Sequence, residues 1–181
     1  MSKLFVDSIQ PKTTGGSVGI KGHVLQMPFT QYTSTTSVST PANTNTTIGV
    51  LTVDITPSSL NSIIKLDSHV FHEWQHAGSP YNCTWFFFRD STKLAHPQDG
   101  NRLSGISASA LSFEATDGGS TPETVYYSYF DSPQTTSLIT YKVGVITHHA
   151  TSVFINRTVG DSNGTESERG VSFISATEIG G

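Results

Sequence analysis

Charge is scarce in this chain. Only 13% of its 181 residues are Asp, Glu, Lys or Arg, against roughly 25% in ordinary soluble domains. Hydroxyls fill the difference, with 25 serines and 25 threonines. Such side chains compete for backbone hydrogen bonds, and threonine is β-branched, so the composition disfavours helices and favours strands. The net charge of −4 supplies no basic field, which argues against nucleic acid as a partner. A single cysteine, Cys83, rules out an intrachain disulfide. Its apolar setting, "YNCTWFFF", marks it as a small buried hydrophobe. No apolar run approaches the ~20 residues of a membrane-spanning helix, so no membrane insertion is expected. The segment "MSKLFVDSIQPK" lacks a signal-peptide core, so synthesis in a cytoplasm without export by the usual route is expected. Missing too are a helical apolar period, a glycine-rich phosphate loop and a G-x-S-x-G nucleophile turn.

Short β-type runs separated by turn residues are what remains. They fall at 48–56, 62–74, 83–90, 104–115, 123–132, 136–147, 151–159 and 169–180. Alternation is clear where Leu51, Val53 and Ile55 interleave with Val50, Thr52 and Asp54. It is equally clear where Ser172, Ile174 and Ala176 interleave with Val171, Phe173 and Ser175. The breaks between runs, such as "TPSS", "HPQDGN" and "GDSNG", carry turn chemistry. Eight such runs predict an all-β fold, an antiparallel β-sandwich of jelly-roll type over 28–181. Residues 1–27 are glycine-rich and too short to own a core, which predicts an extended N-terminal arm.

One pentapeptide tests the reading. His72-Glu73-Trp74-Gln75-His76 spells H-E-x-x-H, the zinc-hydrolase motif that works on a helix face. On a strand the two histidines would stand ~13 Å apart, too far for one ion with bonds of ~2.0–2.1 Å. Ile63, Ile64, Val70 and Phe71 favour a strand, and Gly78-Ser79-Pro80 stops the segment. A second metal reading would gather His69, His72 and His76 with His148 and His149; polar surface residues on half-exposed strands account for them more simply. The carboxylates are scattered, and nothing in their spacing pairs two across a cleft as a glycosidase requires. No metal, no cofactor and no catalytic residue are expected.

Several segments in order resemble the tail-fibre and other virion-appendage proteins of bacteriophages, especially marine and cyanobacterial phages. The N-terminal line is Val6, Asp7, Ile9, Pro11, Lys12, then Gly22, Val24, Leu25, Gln26. The distal part carries the pieces Leu51 to Ile63, Phe87 to Thr92, Phe130 to Val143, Val153 to Arg157 and Arg169 to Ile179. The resemblance implies a non-enzymatic virion structural protein, a homotrimer, located on the virion. Its arm, through Leu4, Phe5, Val6, Ile9 and Pro11, would dock to other virion proteins. It also implies that a Thr-rich stretch such as 30–47 pairs with, or crosses, a neighbouring chain. The head would meet a host-surface glycan or protein through loops at 73–82, 91–102 and 113–127. Candidate contacts there are Trp74, His76, Tyr81, His96, Asp99, Arg102, Tyr126 and Tyr127. The alternatives are a capsid decoration protein clamping shell subunits and, in a third class, a zinc hydrolase or tail-borne depolymerase.

Overall fold

The structure is a computed structural model that describes residues 22–75, 82–109 and 119–181. The residues proposed for arm docking, Leu4 to Pro11, lie outside that set, as do His76 and Tyr81. Among the described residues there are eleven strands: β1 (Val24–Gln26), β2 (Phe29–Tyr32), β3 (Thr36–Thr40), β4 (Thr46–Ile55), β5 (Ile63–Trp74) and β6 (Cys83–Arg89), then β7 (Thr92–Leu94), β8 (Glu123–Asp131), β9 (Ile139–Thr147), β10 (Thr151–Ile155) and β11 (Ser172–Ile179). They form a seven-stranded and a four-stranded antiparallel sheet, the smaller in the order β4-β9-β6-β7.

In the larger sheet β5 is central. One edge of β5 carries β8, and the other carries β11 and then β10 end to end. Beyond these lie β1 and β2 on β11, and β3 on β10. From β3 onward the chain crosses between sheets at nearly every step; only the β6–β7 hairpin and the β10–β11 pair stay within one sheet. That weave, with the last strand lying beside the first, is the jelly roll.

Period-two alternation explains which residues meet between the sheets. Ile64, Leu66, Val70, His72 and Trp74 of β5 point inward with Ile174 and Ala176 of β11. They face Leu51, Val53 and Ile55 of β4, Trp85 and Phe87 of β6, and Tyr141, Val143 and Val145 of β9, all buried. Cys83 is buried in the same layer. On the outer side of the smaller sheet, Gly144 lets two rings lie across the backbone. A Cβ there would stand 2.4 Å from Phe86 and 2.8 Å from Phe88. Phe86 is covered by the Lys93 ammonium, 4.2 Å from its ring centre.

Two expectations are corrected. The Thr-rich stretch holds β2, β3 and the start of β4, and all of them pair within this chain, because β11, β10 and β9 each offer a free edge. Residues 104–109 are not a strand. They lie irregularly along β6, with Trp85 and Ser107 in an isolated bridge, since Gly105 packs its Cα against Thr84, where a Cβ would come within 2.4 Å. The rest of the expected 104–115 run extends into residues outside the described set.

Where β10 gives way to β11, a loop over 156–171 leaves the sheet, and β2 gives way to β3 beside it. Asn156 joins the two interruptions. It is fully buried at φ 61°. Its Nδ2 donates to the carbonyls of Tyr32 (2.7 Å) and Ser34 (2.9 Å), and its Oδ1 accepts from the Ser172 hydroxyl at 2.6 Å.

Candidate functional site

The zinc-like pentapeptide begins at the end of β5, where His72, Glu73 and Trp74 are extended. Successive side chains therefore alternate: His72 and Trp74 enter the core, while Glu73 leaves on the other side. His72 is a correction to the surface reading of the histidines, for it is fully buried between Trp85 (ring centres 4.8 Å apart) and Trp74 (6.0 Å). Its Nδ1 lies 3.2 Å from the Val70 carbonyl, and its Nε2 meets no polar partner. Burial holds its pKa down to about 4.

Glu73 is only 4% exposed although it faces outward. Loops cover it. Its Oε1 accepts from the Thr121 amide (2.8 Å) and hydroxyl (3.1 Å), and its Oε2 accepts from the Val159 amide at 2.6 Å. The carboxylate of the motif thus fastens two loops to the end of β5. Among the described residues no group of three or more His, Cys, Asp or Glu side chains is placed to hold a metal ion.

Three other buried carboxylates are occupied in the same way. Glu178 accepts from the Ser58 amide and hydroxyl (2.7 Å each), the Ser62 hydroxyl (2.6 Å) and the Gln26 amide (2.6 Å). Burial alone would raise its pKa; these donors outweigh that and hold it below the usual range. Asp131 bridges the sheets, taking both oxygens to Arg89 Nη1 (3.0 and 3.1 Å) and one to the Tyr141 hydroxyl (2.7 Å). Asp67 accepts from Lys65 (2.8 Å), Tyr126 (2.9 Å) and Ser128 (2.9 Å). For Asp67 too, burial opposes ionisation and the hydrogen bonds from Lys65, Ser128 and Tyr126 prevail, leaving the pKa lowered.

Two open surfaces among the described residues bear on binding. The first is a cleft of about 450 Å³ beside the 96–106 loop, lined among others by Asn43, Asn82, Asn101, Arg102, Leu103 and His148. The sequence-expected contacts His96, Asp99 and Arg102 gather in an adjoining cleft. Arg102 is held by Asp99 at 3.0 Å, and the His96 carbonyl accepts from the Ser104 hydroxyl. The asparagines were not singled out from the sequence, because asparagine in a turn reads first as backbone chemistry. Asn43 does serve that purpose, at φ 53°.

The second surface is the outer face of the larger sheet. Phe29 (62% exposed), Tyr126 (59%) and Phe130 (60%) stand on it, with Ile63, Val24 and Val171 also exposed. Its one ion pair, Lys65–Asp67, closes on itself. Tyr126 and Tyr127 were expected as contacts together, but neighbours on a strand face opposite ways. Tyr127 is in the core, its hydroxyl donating to the Phe86 carbonyl at 3.1 Å. Burial pushes that hydroxyl's pKa up. Trp74, 4% exposed, is likewise a core residue and no surface contact. Phe29 and Phe130 were missed, since a phenylalanine in an alternating run reads as core.

No protein-family model matches the chain, and no curated protein sequence does. Among solved structures, the crystal structure of the infectious bursal disease virus VP2 subviral particle aligns with 97% of this chain and 46% of that one, at 12% identity and a TM-score of 0.39. This chain thus spans less than half the length of that protein.

Proposed function

We propose that the protein is a virion structural protein, a homotrimeric tail-fibre or appendage subunit whose jelly-roll head meets the host surface and which performs no catalysis. One observation carries the reading: the buried carboxylates Glu73, Asp67, Asp131 and Glu178 are each saturated by donors of the fold itself. An acid–base site needs carboxyl groups aimed at a substrate; these hold loops and sheets together. The charge-poor outer face of the larger sheet suits association with other copies. The collinear resemblance to phage appendage proteins supports the virion location. The residues ahead of β1 would supply docking to other virion proteins, since β1 itself is paired with β11 in the larger sheet. The cleft by Asn43, Asn101 and Arg102 offers amides and a guanidinium to the hydroxyls of a host glycan.

Labelled antibody against the chain, imaged on intact particles, tests the location. Label on the tail or on projecting fibres is the expected result; label spread over the icosahedral shell would move the protein to the decoration class. Purified protein should release no reducing sugar from host polysaccharide and should carry no stoichiometric zinc.

A further inference from the structure

The open face of the larger sheet has an internal order that says what covers it. Strand register puts its outward side chains into rows that run across β2, β11, β5 and β8. One row reads Phe29, Ser175, Asp67, Ser128. Phe29 stands at one edge of that row, and Ser128 closes the other. On β8 the outward neighbours of Ser128 are Tyr126 and Phe130, one row to either side. Their Cα atoms are ~13 Å apart along the strand; the Tyr126 hydroxyl reaches Asp67, so that ring leans over the row, and a third ring entering beside Ser128 would meet Tyr126 on one side and Phe130 on the other. The face therefore carries a projecting ring at one edge and a matching slot at the opposite edge, at the same height.

A symmetry axis parallel to the strands preserves height. Rotation about it brings the Phe29 edge of one copy to the β8 edge of the next. At a 60° corner two edge strands stand as far from each other as from the vertex, so four strands with one strand spacing between copies give a side of about 24 Å. Three such faces turned inward close a triangular prism whose centre lies about 7 Å from each sheet, more than half the ~10 Å at which stacked sheets pack, so large side chains such as Phe29, Tyr126 and Phe130 are needed to fill it. The interior would then be filled by side chains and leave no channel. The face measures about 19 by 30 Å, roughly 600 Å² before side-chain relief is added, which approaches the ~800 Å² per partner of a standard stable interface.

Building on the homotrimer reading above, we propose that the outer face of the larger sheet lines the three-fold axis, with Phe29 of each copy seated between Tyr126 and Phe130 of the next. Asp67 and Lys65 enter the interface already neutralised by each other, and Tyr126 and Ser128 complete the donors of Asp67. No charge is left unpaired at the centre.

Native mass spectrometry of the full chain and oxidative cross-linking of a Phe29→Cys/Ser128→Cys variant test this. Within one copy the two positions lie three strand spacings apart, ~14 Å, too far for a disulfide, whose Cα atoms must approach within ~7 Å; the native Cys83 is buried. The wild type should be a trimer, and the oxidised double variant should run as a covalent trimer on a denaturing gel while each single variant stays monomeric there. Phe29→Ser, at an exposed position, should weaken trimerisation at least tenfold without changing the circular dichroism spectrum. A wild-type monomer would overturn the trimer reading and this assignment together. A trimeric double variant that forms no covalent link, or stops at a covalent dimer, would overturn the assignment alone.

Discussion

His72 and Glu73 are adjacent in the chain and opposite in chemistry. The imidazole is neutral in the core because burial lowers its pKa from 6.5 to about 4. Once unfolded it regains the ordinary value, so the unfolded state binds the proton first. Stability is therefore complete above pH 6.5 and falls as pH drops from about 6.5 towards 4, by roughly 3 kcal/mol in all. His72→Phe should flatten that part of the profile, a result read from urea midpoints at pH 7 and pH 4.5. The lowered pKa of Glu178 adds a loss at more acid pH, as its carboxylate protonates and releases the serines. Glu73→Ala should cost about 1–3 kcal/mol, because it strands the half-buried Thr121 and Val159 amides; urea unfolding of the variant at neutral pH measures it. The extended state of His72, Glu73 and Trp74 was legible in the strand-forming residues before them. The burial of His72 was not, since alternation assigns a face but not which face is covered.

At the level of the strand, the long core elements followed from alternation: β4, β5, β6, β8, β9 and β11 lie within a few residues of their expected places. The short ones did not. β1, β2, β3 and β7 are three to five residues each, and their sequences are set by pairing with a neighbour more than by a buried face. β10 ends at Ile155, before the expected 159, because Asn156 turns into the left-handed region and leaves the sheet. Asn156→Ala should lower stability by about 2–4 kcal/mol, through two unmet carbonyls and a Cβ residue held in that conformation without side-chain support. Asn156→Asp should be nearly as damaging, since it replaces the donor with a third acceptor between the Tyr32 and Ser34 carbonyls. Thermal melts of both variants decide this.

For the molecule as a whole, the scarcity of charge noted in the sequence takes a definite place. It shows in a sheet face where, among the described residues, the only ion pair is Lys65 with Asp67, both of that face. Association through that face should therefore be nearly indifferent to ionic strength. Trimer dissociation measured between about 50 and 500 mM salt should change by less than about threefold, whereas a charge-steered contact would weaken steeply as the Debye length shrinks. The fold class was legible because short runs of strand formers recurred between turns, with clear alternation at 50–55 and 171–176. The candidate cleft and the aromatic slot were not, because each is assembled from residues distant in sequence: Asn43 meets Asn101, and Phe29 shares a row with Ser128.

The position of β11 governs the order in which this chain can assemble. It lies between β5 on one side and β1 and β2 on the other, so strands that leave the ribosome early wait for one that leaves late. Closing that sheet joins residues more than a hundred positions apart, a contact pattern that slows folding to milliseconds or longer. Until β11 arrives, the edges of β5 and β2 stand open to any passing strand, and a nascent or refolding chain is at its most adhesive in that interval.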